Sequence, residues 1–201
     1  MRIRSVPLTL GALCALIMLT FSAQTAFSEP FSTSQAFQIM RNHRSKTEQT
    51  NRLKAIEAYL RKKNPKIPPQ KSSLYANLIE DCASRYDLDP FLVASVLVKE
   101  STAREKAVSK GNYGLMQINW KANKPWIVKT FPIQSTKELM TPSNNVRIGA
   151  HILAANIKKC RGDVDRGLDR YRGRPLASYR NSVHQHYLGI SEIFRKLQAN
   201  T

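Results

Sequence analysis

The residue best equipped to do chemistry is Glu100. It closes the stretch LVASVLVKES, residues 92 to 101, where Leu92, Val93, Ala94, Val96, Leu97 and Val98 leave almost no polar face. That is the pattern of a helix buried on most sides. On such a helix Val96, Leu97 and Val93 lie one and two turns behind Glu100, so its carboxyl projects from an apolar stripe, whereas Lys99 is turned about 100° away and reaches solvent. Burial disfavours the ionised carboxylate and raises its pKa. An acid still protonated near neutral pH can donate its proton to a leaving group. A helix-ending Glu turned into solvent, or paired with Arg104, fits the same periodicity equally well.

The elements that must position Glu100 are helical. In DLDP, Asp89 is placed as N-cap and Pro90 at the first helical position of the helix that ends near Glu100. Before it, Ser72 or Ser73 is expected to cap a helix reaching about Tyr86. After it, GNYGLMQIN is a glycine-punctuated loop running into a short turn. TPSNNVRIGAHILAANIKKC reads as a helix with Gly149 on its packing stripe, RGDVDRGLDRYRGRP as a charged segment closing in a turn, and Val183, Tyr187, Ile190, Phe194 and Leu197 as a last amphipathic helix. No alternating strand run of any length occurs, and the expected class is mainly α.

Ahead of these elements the chain changes character. MRIRS, the apolar run VPLTLGALCALIMLTF and small residues at Ala26 and Ser28 form an export signal over residues 1–28. A retained anchor would need about 20 apolar residues, more than the uninterrupted run supplies. Residues 29–71 are basic, with 10 Lys and Arg against 3 acids. They hold a helical pattern in QTNRLKAIEAYLRKK and a proline-rich linker, so they read as an N-terminal extension ahead of a globular domain over 72–201. The 201 residues carry 32 Lys and Arg against 14 Asp and Glu, a formal charge of +18, and removal of the signal takes away Arg2 and Arg4 but no acid. Such a surface is drawn to polyanions, among them envelope polymers and anionic lipid. A nucleic-acid partner is not expected, because no recognition motif accompanies the charge and the location is outside the cytoplasm.

Export leaves Cys82 and Cys160 in an oxidising compartment, each on the apolar face of its helix. A bridge between them would stabilise by roughly 4.5 kcal/mol in the chain-entropy picture; the alternative is two free thiols acting as small core residues. His43, His151, His184 and His186 form no ligand set and the cysteines lack zinc spacing, so neither a metal nor another cofactor is expected.

From Lys99 onward, KESTAREKAVSKGNYGLMQIN resembles the signature of the soluble lytic transglycosylases and goose-type lysozymes. Glu100 and Ser101 match a Glu-Ser pair ending a buried helix, Ala107 and Ser109 an Ala-x-Ser element, and Gly114, Leu115, Met116, Gln117 and Ile118 the run that follows. Asn145, Gly149 and Leu153 match a third element, Asn-x-x-x-Gly-x-x-x-Leu, and the likeness covers about residues 74 to 190. Two positions depart from the pattern. Arg172 stands between Tyr171 and Gly173 where the family usually has Asn, and Ala103 where an aromatic is common.

The resemblance implies a lysozyme-like α domain acting on peptidoglycan strands, with Glu100 as its one catalytic carboxylate. It implies that Gly114, Leu115, Met116, Gln117 and Ile118, extended to Asn119, line the glycan cleft, that Tyr171 faces the glutamate, and that Ser101 orients the acid. Asn145 and Gly149 take structural roles. Ordinary glycosidases need two carboxylates, about 5 to 5.5 Å apart for retention or 6.5 to 9.5 Å for inversion. No second acid here repeats the apolar-helix pattern; Asp163, Asp165 and Asp169 are the best candidates for one that would make the enzyme a hydrolase. With a single acid, Glu100 would protonate the bond between N-acetylmuramic acid and N-acetylglucosamine and then, as base, help the C6 hydroxyl close a 1,6-anhydro ring. A glycan-binding module without catalysis stays open as the rival. The expected protein is an exported, periplasmic monomer, and its basic extension suits contact with anionic membrane or docking on an envelope-spanning secretion or division machine.

Overall fold

The computed structural model describes Phe31 and residues 48–199; the export signal expected over residues 1–28, and His43, lie outside the described residues. Among those described, the elements in order are α1 (Gln49–Lys63), α2 (Pro69–Arg85), α3 (Pro90–Ser101), β1 (Val108–Ser109), β2 (Asn112–Tyr113), β3 (Ile118–Asn119), α4 (Trp120–Thr130), α5 (Thr136–Leu139), α6 (Pro142–Lys159), α7 (Val164–Arg172) and α8 (Ala177–Ala199). The class is mainly α, as the periodicity predicts.

Helix α3 is the hub. Asp89 caps it as expected, its carboxylate accepting from the backbone N–H of Phe91 at 2.7 Å and of Leu92 at 3.4 Å. The other carboxylate oxygen of Asp89 accepts from the Tyr187 hydroxyl at 2.7 Å, which ties the start of α3 to α8. Every residue from Pro90 to Val98 is buried, enclosed by α8, α2 and α1. Ser95 sits in this apolar surround by donating its hydroxyl to the Phe91 carbonyl at 2.6 Å, which satisfies the buried polar group. The helix stops where Thr102 and Ala103 both take left-handed backbone, at φ 54° and 55°. Ala103 is buried at 3 % exposure.

Helix α2 starts earlier than its serines predict. Pro69 takes its first position behind Pro68, and Ser72 lies inside the helix with its hydroxyl on the Pro69 carbonyl. A proline at that position has no N–H of its own to satisfy and its fixed φ suits the first turn, so the helix starts there without a side-chain cap. The linker therefore shrinks to residues 64–68, and α1 joins the body: Ala55, Ile56, Tyr59 and Leu60 are buried in the same core as α3. Gly189 in α8 makes room for this contact, since a Cβ there would meet Tyr59 Cε2 at 2.5 Å.

Cys82 and Cys160 are both free thiols, so the expected bridge does not form. Tyr86, one turn after Cys82, packs its ring on His151 at 5.4 Å between centroids. His151 precedes Cys160 by nine residues, about 13 Å along the helix axis. A disulfide spans only about 4.4–6.8 Å between Cα atoms, too little to bridge turns so far apart.

The loop read as GNYGLMQIN supplies two strands of a three-stranded antiparallel sheet whose first strand just precedes it, with Val108 opposite Tyr113 and Tyr113 opposite Ile118. Lys110 and Gly111 turn the first hairpin with φ of 50° and 79°, the primed geometry that matches strand twist. Each strand is two residues long, too short for any alternation to be read.

Candidate active site

Glu100 lies near the end of α3, where the buried helix meets a cleft of about 780 Å³ lined also by Arg104, Asn112, Gln117, Tyr171 and Arg172. The carboxyl is partly buried, and desolvation raises its pKa above the usual carboxylate range. Three groups pull the other way: the Tyr179 hydroxyl donates to Glu100 Oε1 at 2.6 Å, and the charges of Arg172 and Lys99 favour the ionised form. Of the two readings left open by its spacing, the inward-facing one holds. Arg104 instead donates its Nε to the Ser101 carbonyl at 2.9 Å.

The sheet and α6 build the wall beside this acid. Asn145, fully buried in α6, accepts from the Met116 backbone N–H at 2.7 Å and donates to the carbonyls of Tyr113 at 2.9 Å and Leu139 at 3.0 Å. It is a clamp inside the helix; the N-cap of α6 is Thr141. Gly114 takes φ 78°, and a Cβ on it would meet Asn145 Nδ2 at 2.3 Å. Gly149 similarly leaves space for Met116, whose Cβ would be 2.5 Å from a Cβ on that glycine. From the other side, Tyr171 donates its hydroxyl to the Met116 carbonyl at 2.8 Å. Both backbone polar groups of Met116 are thus held.

This arrangement redistributes the residues expected to line the cleft. Leu115 and Met116 are fully buried and Ile118 is 2 % exposed, so the first two support the wall from within the core. Ser101 is also buried, with its hydroxyl back on the Leu97 carbonyl at 3.3 Å; it closes the helix and does not touch the acid. Gln117, at φ 46°, faces the cleft, but its Nε2 donates to the carbonyls of Ala107 and Gly114, both at 3.0 Å. Asn119 caps α4 by accepting from the Ala122 N–H at 2.9 Å and lines the cleft's extension.

That extension, about 690 Å³, shares Asn112, Gln117, Tyr171 and Arg172 with the cavity at Glu100 and continues to Trp126 and His151. Trp126 lies over His151, centroids 5.5 Å apart and planes 30° from parallel, with its Nε1 donating to Asn123 at 3.0 Å. An aromatic face in a polar groove is suited to the apolar side of a sugar ring. Tyr113 and Trp120, the aromatics nearest the loop in sequence, pack against the core.

The three aspartates weighed as a second carboxylate are engaged elsewhere. Asp163 caps α7 through the Arg166 N–H at 3.0 Å, Asp165 accepts from the Phe31 N–H at 3.2 Å, and Asp169 holds Arg180 at 2.6 and 2.8 Å. Glu100 is the one carboxylate among the described residues lining its cavity. Sequence reasoning missed Tyr179, whose hydroxyl bonds Glu100 directly, while Tyr171 lines the same cavity as the acid and spends its own hydroxyl on Met116. The signal for Tyr179 was present: stepping four residues back from Val183 on the apolar stripe of α8 reaches it. Trp126 carried no such signal, since α4 has little buried face beyond Ile127.

Compared with known protein families, residues 77–186 match the Transglycosylase SLT domain. Among solved structures, the fold is similar to an inactive mutant of lytic transglycosylase Slt from Pseudomonas aeruginosa, at a TM-score of 0.52 and 22 % identity. The match covers 61 % of this chain and 24 % of that one, so the chain spans about a quarter of the solved protein. The shared fold is the lysozyme-like one expected from the three motifs.

Proposed function

Because the chain belongs to the Transglycosylase SLT domain family, we propose that it cleaves the β-1,4 bond between N-acetylmuramic acid and N-acetylglucosamine in peptidoglycan and leaves 1,6-anhydro ends. The observation that carries this reading is the solitary acid: Glu100 has its pKa raised by burial and is the one carboxylate of its cavity among the described residues. In the first step Glu100 gives its proton to the glycosidic oxygen as the C1–O bond breaks, and the N-acetyl group of the muramic residue stabilises the electron-poor C1. In the second, Glu100 accepts the proton of the C6 hydroxyl while that oxygen bonds to C1. The proton is returned, and no water is consumed. Intramolecular attack has an effective molarity of roughly 10⁵ to 10⁸ M when the ring is well placed, which favours C6 over water. Tyr179 shapes the acid at each stage, because a donor on Oε1 favours the carboxylate formed after the first transfer. The N-terminal signal supports action outside the cytoplasm, where the basic surface meets an anionic polymer.

The test is mass spectrometry of fragments released from purified peptidoglycan by the mature protein and by Glu100→Gln. Anhydro-muropeptides are expected from the first, with the rate lowered by at least about 10²-fold in the second. Reducing-end products would overturn the transglycosylase step in favour of hydrolysis. Glycan binding without products in either protein would overturn catalysis.

A further inference from the structure

Beyond the cleft's extension, the surface turns strongly cationic. A third cavity of about 480 Å³ shares Asn156, Arg170 and Gly173 with that extension and is lined also by Arg166 and Arg174. With Arg172, four arginines follow one another along α7 and the turn after it, all exposed. Among the described residues none of the four has a carboxylate partner within salt-bridge distance; Asp169, the acid in this cavity, is taken by Arg180 and by the Leu176 N–H at 3.1 Å. The dipole of α7 favours cations at its C-terminus and so accounts for Arg170 and Arg172. It does not account for Arg166, which stands in the first turn, where a positive charge is disfavoured. Gly173, at φ 88°, turns the chain so that Arg174 leaves the helix and joins the same cavity.

Guanidinium groups with open forks are built to hold carboxylates two oxygens at a time. We propose that Arg166, Arg170 and Arg174 bind the carboxylates of the acidic peptide stems carried by the glycan, at the end of the cleft remote from Glu100. This rests on the peptidoglycan reading of that cleft. A strand lying from Glu100 past Tyr171 and Trp126 brings the stem of a neighbouring sugar over α7, so the rim selects strands that still bear stems with free carboxylates. Arg172 is left apart, because it borders Glu100 and acts on it electrostatically.

The test uses the full mature chain with Glu100→Gln to prevent cleavage, with and without Arg166→Gln, Arg170→Gln and Arg174→Gln together. Isothermal titration is made with three soluble glycan fragments: stems intact, stem carboxyls converted to amides, and stems removed. The triple change is expected to weaken binding of the first by about tenfold and to leave the other two unaffected. Arg174→Gln alone, in the turn outside the helix, gives the same direction if the triple variant unfolds. Equal affinities for the intact fragment in both proteins, or an equal loss on all three fragments, overturn the rim while leaving the cleft's glycan reading standing. Loss of binding only to phosphatidylglycerol vesicles would assign the rim to lipid and overturn it too. If neither protein binds any fragment, rim and cleft reading fall together.

Discussion

At the scale of residues, Glu100 is held between opposing influences whose signs fix its pH behaviour. Burial raises its pKa, while Tyr179, Arg172 and Lys99 lower it. In the proposed mechanism Glu100 works while protonated, so activity is expected below the pKa of the folded protein and should decline as pH rises through it. Tyr179→Phe removes a donor to the ionised form, and the alkaline limb of kcat/KM against pH should move upward. Arg172→Asn removes a positive charge and should move it in the same direction, by a smaller step at high salt, where the wild-type charge is already screened. A limb that moves down in either variant would contradict the arrangement. Stability follows the linkage rule with the same sign: a raised folded pKa contributes most at low pH, and the contribution is lost as pH rises through that value. Glu100→Gln, which can still accept from Tyr179, should therefore gain stability relative to the wild type as pH increases, checked by urea unfolding across pH. Glu100 was legible because a carboxyl in an apolar run is a conflict visible in one dimension. Its partner Tyr179 lies 79 residues away, and its relation to the acid exists only once α3 and α8 pack.

At the scale of elements, the motif Asn145-x-x-x-Gly149 is a device for holding a loop that has almost no regular structure of its own. Three hydrogen bonds from one buried amide replace the ladder that two-residue strands cannot supply. Asn145→Ala should cost about 2–4 kcal/mol, because the Met116 N–H and two carbonyls lose their partner in a dry site. Gly149→Ala should cost about 1–3 kcal/mol through its clash with Met116. Both changes should lower kcat more than they raise KM, since they displace the wall next to Glu100. Thermal and urea unfolding together with steady-state kinetics check this. The helices and the caps at Asp89 and Pro90 were readable from periodicity and capping chemistry. The inward burial of Leu115 and Met116 was not, because a loop has no period from which to tell the face that meets the core from the face that meets a ligand.

At the scale of the molecule, the first described helix decides where the folding unit begins. Composition sets residues 29–71 apart as a basic extension, yet α1 buries Ile56 and Leu60 fully and carries Arg52 inward to a paired contact with Glu80 of α2. Arg52 Nε lies 3.1 and 3.3 Å from the two carboxylate oxygens, and both side chains are almost wholly enclosed. Surface charge and buried charge look alike in a composition, so this pair was hidden among the lysines and arginines of the segment. Breaking such a pair on one side strands an unpaired charge in a poor solvent, at a cost of about 3–5 kcal/mol, whereas replacing both partners with apolar residues of similar volume is often close to neutral. Arg52→Met should thus destabilise strongly, and adding Glu80→Leu should restore much of the loss, with the difference read from a double-mutant cycle in urea. A chain beginning at Ser72 should fail to unfold cooperatively, because the faces of α2 and α8 that α1 covers would be exposed to water. If that shorter chain instead unfolds in a single transition and keeps whatever activity on peptidoglycan the full chain has, α1 is an attachment to the folded body and not a part of it.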